Sequence, residues 1–160
     1  MLPKINTIIY ACDLEKQTQS AIELVLNLAN LHQAKVIFLH VIEPINTQTA
    51  NMISGYIAEE VMMSMRENGK KEMQVRMETM LSDLMEKHAD ELTNLTTKPE
   101  ILIENGIPTD SIQSVAKEKD ADLIVMNSRT HSLLGQMMLG STANRVIHSS
   151  DIPVLVVPIK

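Results

Sequence analysis

Short runs of β-branched and aliphatic residues alternate along this chain with stretches whose apolar residues recur at helical spacing, and that alternation constrains the fold more than any other feature of the sequence. Ile5 to Tyr10 predicts a buried first strand that ends just before Asp13. Ser20 to Leu31 predicts a helix with Ala21, Leu24, Leu28 and Leu31 on its inner face, and Val36 to Leu39 a second strand. Pro99 to Glu104 makes a third strand. Thr109 to Lys119 makes a helix burying Ile112, Val115 and Ala116, and Leu123 to Met126 a fourth strand. A last helix begins at Thr142 to His148, and Ile152 to Pro158, around Val154–Val157, is the fifth and final strand. Strands apolar along nearly their whole length and separated by helices are those of a parallel sheet covered on both faces. The expected fold is therefore α/β: a single-domain, open, five-stranded parallel sheet with helices on both faces.

The connection between the second and third strands, residues 44–95, exceeds a minimal crossover. Pro44 to Gly55 is expected to be a mobile loop, and Tyr56 to Leu92 a long helical crossover with Met73, Met77, Met80, Leu81 and Leu84 in one stripe. Seven of the twelve methionines lie between Met62 and Met85. Unbranched, flexible methionine is read here as core filler rather than as an adaptable binding surface. Gly69, at about 1 kcal/mol against alanine, is expected to break or bend this helix.

At 160 residues the chain is one domain by size. Its net charge is −6, and Lys70-Lys71 is its one basic cluster, which argues against a nucleic-acid partner. Cys12 stands alone, leaving no internal disulfide and no cysteine-rich metal site. No run approaches the ~18 apolar residues a membrane helix needs, and MLPKINTIIYACD lacks the charged and long apolar segments of an export signal. A cytoplasmic location without a membrane partner is expected.

Chemistry concentrates where strands end. In NSRTHSLLGQMMLGST, Asn127 to Thr142, a strand gives way to a loop that opens into a helix at Gly140-Ser141-Thr142. Unpaired amides and a partial positive charge at such a helix start suit a phosphate, and a glycine lets it come close; alternatively, Gly140 turns the chain and Ser141 caps the helix. Asp13 is either an acceptor for ribose hydroxyls or a turn or cap residue. The backbone of Val41 offers a reader for an adenine edge. Arg129 and His131 are placed to reach a phosphate or to be solvated loop side chains, and His40 is read as a structural histidine. His32, His88 and His148 share no metal-like spacing with carboxylates or Cys12. Neither GxxxxGK[ST] nor GxSxG occurs, so there is no evident machinery for hydrolysis.

Four stretches, IIYACDLEKQTQSAIEL from Ile8, VIFLHVIEP from Val36, GIPTDSIQSVAKEKDADLIVMNSRT from Gly106 and LLGQMMLGSTANRVIHSSDIPVLVVP from Leu133, give the chain a resemblance to single-domain universal stress proteins. The resemblance implies a Rossmann-like sheet of the adenine-nucleotide alpha hydrolase-like kind over residues 1–160. It also implies a non-enzymatic, homodimeric stress-response switch that binds ATP, with magnesium, as a regulatory ligand. The ATP-binding branch is similar to G-x2-G-x9-G-[ST]. With its last glycine on Gly140, the first two fall on Asn127 and Thr130, departures expected to remove access to positive φ and to add bulk beside the phosphates. Carried over position by position, the implied contacts are Ala11, Asp13, Val41, Met126, Asn127, Arg129, Thr130, Gly140, Ser141 and Thr142. Adenine would lie at Val41, ribose at Asp13, and the phosphates over Asn127–Thr130 and Gly140–Thr142. The final strand, too apolar to leave exposed at a sheet edge, is the expected dimer interface. A nucleotide-independent dimeric interaction module of the same family is the alternative.

Overall fold

The computed structural model describes residues 1–14, 18–129, 131–133 and 136–159. In chain order these form β1 (Thr7–Ala11), α1 (Gln19–His32), β2 (Lys35–Ile42), α2 (Thr47–Ser54), α3 (Glu59–Lys87), β3 (Glu100–Asn105), α4 (Pro108–Glu118), β4 (Leu123–Arg129), β5 (His131–Leu133), β6 (Gln136–Met138), α5 (Ser141–Ser149) and β7 (Val154–Ile159). Five strands build one sheet in the order β3-β2-β1-β4-β7, with every neighbouring pair parallel. The expected α/β architecture is what the chain adopts.

Strand alternation divides the core in two. Ile8, Tyr10, Val36, Phe38, Ile103 and Val125 pack against α1 and the second half of α3. Ile9, Ile37, Leu39, Ile124 and Met126 face the other way, onto Ile112, Val115 and Ala116 of α4 and Ala143 and Val146 of α5. Tyr10 pairs in register with Phe38 on one side and Val125 on the other, and its ring meets that of Phe38 edge-on, centroids 5.4 Å apart.

Several expectations are corrected. Of the residues expected on the inner face of α1, Ala21 is buried and Leu28 packs on the core, whereas Leu24 and Leu31 are exposed and Ile22, Val25, Leu26 and Ala29 are buried in their place; adjacent apolar rows on one helix share the same spacing. The segment read as a loop contains α2, started by Asn46, whose side chain accepts from the Thr49 amide at 2.8 Å. Gly69 does not break the helix, since α3 runs through it, and among the described residues no atom of a neighbouring element lies within 4 Å of where a Cβ would stand. The stretch beyond β4 holds a small antiparallel pair, β5 with β6, where a plain loop was expected. The core-filler reading of the methionine stripe holds for Met77, which is buried with Leu81 and Leu84, and for Met73 and Met80, which pack on them. Met63 and Met65 are exposed.

A candidate nucleotide pocket at the strand ends

β1 leads into α1 on one face of the sheet and its neighbour β4 leads on to α5 on the other, so the chain diverges between their carboxyl ends. Such a divergence leaves a crevice beyond the strands. There the structure has a cavity of about 530 Å³. Ala11 reaches it from β1 and Asp13 from the segment just after it, Val41 from β2, Met126 and Asn127 from β4, and Gly140, Ser141 and Thr142 from the start of α5. Arg129 ends β4, and Thr130 lies outside the described residues. The lining adds residues that sequence reasoning left out of the site: Cys12, Leu39, His40, Glu43, Pro108, Ile112, Ser128 and Ala143.

The walls differ in chemistry. Ala11, Leu39, Val41, Pro108, Ile112 and Met126 offer apolar surface, whereas Asp13, Asn127, Ser128 and the start of α5 offer polar groups. Gly140 is the N-cap of α5 (φ −57°, ψ 151°) and supplies no side-chain cap. Among the described residues no side chain accepts from the amides of Ser141, Thr142 and Ala143, which leaves a helix start suited to an anion. The Gly140 amide itself donates to the buried Ser128 hydroxyl at 3.1 Å, tying the helix start to β4. Ser141 is thus the first helical residue, not the cap.

Asn127 and Ser128 are successive strand residues and point to opposite faces. Ser128 takes the face toward Gly140, and Asn127 the face of Tyr10: its Oδ1 accepts from the Tyr10 hydroxyl at 3.0 Å and its Nδ2 donates to Asp13 Oδ1 at 3.5 Å. Two expectations fall here. Asn127 needs no positive φ, since it belongs to a strand, and its side chain adds no bulk on the Gly140 side. Asp13 does not cap α1, because the N-cap is Thr18. Leu14, next to Asp13, does take a left-handed backbone at φ 61°, a local strain that bends the chain as it leaves the crevice.

Burial keeps the neighbouring groups neutral. It pushes the Tyr10 phenol upward, so the hydroxyl remains a donor, and raises the Cys12 thiol to about 11, so the thiolate nucleophile is scarce at neutral pH. His40 Nδ1 lies 2.8 Å from the Cys12 carbonyl, a satisfied structural contact as expected. Among the described residues no three His, Cys, Asp or Glu side chains gather as a metal would require, and no helix is long and apolar enough to cross a membrane.

Comparison with known proteins places these observations in a family. The chain is 32% identical to the universal stress protein YxiE of Bacillus subtilis over 153 residues, covering 95% of this chain and 98% of that one. It is 28% identical to the universal stress protein MJ0577 of Methanocaldococcus jannaschii, over 94% of this chain and 93% of the relative. The solved structure of MJ0577 superposes with a TM-score of 0.58 over 99% of both chains. A universal stress protein crystallised in complex with cAMP, 19% identical, shares the fold with a TM-score of 0.63 over 99% of this chain and 100% of its own. The sequence model of the universal stress protein family matches residues 4–158, and the chain belongs to that family.

Proposed function

We propose that the cavity binds an adenine nucleotide, ATP, as a regulatory ligand, and that the protein works as a cytoplasmic homodimeric switch in a stress response. The observation that carries this reading is the convergence of an apolar slot, a carboxylate and an uncapped helix start on one crevice of about 530 Å³, a volume typical of small-molecule sites. Adenine lies in the slot between Val41 and Ile112 and is read by the Val41 backbone. Ribose hydroxyls donate to Asp13. The phosphates accept from the Ser141 and Thr142 amides, where the α5 dipole offsets their charge. Ala11 and Met126 floor the site, and the family resemblance assigns Arg129 and Thr130 to the phosphate side. Ser141 and Thr142, hydroxyl-bearing residues on the cavity wall, would hold magnesium together with the phosphates, and the ion would offset phosphate charge there. That a relative in fold was crystallised with cAMP supports the choice of an adenine nucleotide.

The ligand acts by binding one conformation better than another, which is the sense in which it is a switch. The dimer is supported by β7, which among the described residues pairs only with β4 at one edge of the sheet, and whose Val154–Val157 run they leave incompletely covered. Mass spectrometry under native conditions, with and without added ATP and magnesium, tests the reading. A mass increment of one ATP per chain on a dimer is expected. A bare dimer at millimolar ATP would refute nucleotide binding and leave the nucleotide-independent interaction module.

A further inference from the structure

Asn127 stands where the family's ATP-binding pattern carries a glycine, yet the structure gives its side chain two partners. Asp13 Oδ1 accepts from Nδ2 at 3.5 Å, and the Tyr10 hydroxyl donates to Oδ1 at 3.0 Å. The orientation of this amide is determined by chemistry. An ionised carboxylate only accepts, so the amide must turn its NH2 toward Asp13 and its carbonyl toward Tyr10, and the tyrosine must then donate. Tyr10 is wholly buried, its ring held edge-on by Phe38 and its backbone fixed in the sheet between β2 and β4, so the far end of this chain of hydrogen bonds is immobile.

We propose that Asn127 is a positioning residue for the ribose contact: anchored on the Tyr10 hydroxyl, its amide holds the Asp13 carboxylate in the orientation that receives the ribose hydroxyls. The inference rests on the nucleotide reading above and deepens it. Asn127 is then a working member of the sugar side of the site rather than a damaged member of a phosphate loop. Replacing it by the family's glycine weakens binding instead of restoring it.

Calorimetric titration of the full chain with ATP and with 2′,3′-dideoxy-ATP tests this, on the wild type, Asn127→Ala, Asn127→Gly, Tyr10→Phe and Asp13→Ala. The wild type should prefer ATP. That preference should fall about five- to tenfold in the two Asn127 variants and in Tyr10→Phe, the size of one hydrogen bond, with affinity for the dideoxy analogue held within about twofold. Adding Asn127→Ala to Asp13→Ala should change neither affinity, because the residue acts through that carboxylate. Circular dichroism checks the fold, and the isosteric Tyr10→Phe stands in if an Asn127 variant fails to fold. ATP binding with its ribose preference unchanged in Asn127→Ala and Tyr10→Phe overturns this inference alone. Absence of ATP binding by the wild type overturns the nucleotide reading and this inference with it.

Discussion

Gly140→Val separates the nucleotide reading from the fold more cleanly than any other single substitution. Gly140 has φ −57° and ψ 151°, a backbone that valine adopts without strain. Among the described residues a Cβ there would meet only Ser128 Oγ, at 4.0 Å, which is ordinary van der Waals contact. Valine is a poorer N-cap than glycine but also lowers the entropy of the unfolded chain. These effects oppose one another, each about 0.5–1 kcal/mol, so stability should stay within about 1 kcal/mol of the wild type. The ligand is affected quite differently. The branched side chain stands on the cavity wall in front of the Ser141 and Thr142 amides, and each charge-assisted hydrogen bond it blocks is worth about 1.5–3 kcal/mol. Losing both weakens ATP by at least about 3 kcal/mol, more than a hundredfold in Kd. Urea unfolding measures the first quantity and calorimetric titration the second. A variant that folds normally and binds ATP as the wild type does would show that the phosphates do not meet α5.

Three further outcomes follow from the packing. Val156→Lys, on the edge strand β7, should convert a dimer into a soluble monomer by light scattering at micromolar concentration, because a two-fold contact would bury the new charge twice; a wild type that is already monomeric refutes the interface. Met77→Ala, at a buried position of α3, should cost about 2–5 kcal/mol in urea unfolding through the cavity it leaves. The Glu23 carboxyl is lowered to about 2 by hydrogen bonds from Gln19, His88 and Lys87, so its contribution is present above its ordinary value of 4.5 and is lost as pH falls through 2. Glu23→Gln should therefore destabilise the protein at neutral pH by an amount that shrinks as pH falls from 4.5 toward 2, as urea midpoints across that range would reveal.

The sheet was legible because buried parallel strands leave long apolar runs, and the runs at Ile8, Val36, Leu123 and Val154 each fall inside an observed strand. The inner face of α1 was not, since Leu24 and Leu31 repeat at the same interval as Ile22, Val25 and Ala29 and only the sheet decides between them. Of the candidate site, Ala11, Asp13, Val41, Met126, Asn127, Gly140, Ser141 and Thr142 come together at one crevice because strand ends and a helix start can be recognised locally. The roles of Ser128 and Tyr10 could not be read that way. Ser128 looks like any small polar residue until strand alternation sets it opposite Asn127 and beneath Gly140, and Tyr10 meets Asn127 across 117 positions of sequence. Alternation carried one residue past Met126, where β4 in fact continues to Arg129, would have put Asn127 and Ser128 on opposite faces.

The unevenness of α3 has a thermodynamic consequence. All of its buried side chains, Met77, Leu81 and Leu84, lie in its second half, while Val61, Met63 and Met65 in the first are exposed and Gly69 has open space around it. The first half is thus a peptide-like helix of a length that is marginal in water, extending from one that the core secures. The two halves must open at very different free energies. Backbone amides before Gly69 should exchange with solvent close to the rate of local fraying, and those from Met77 onward only in openings that disturb the core, so a single continuous helix contains a boundary between two cooperative units.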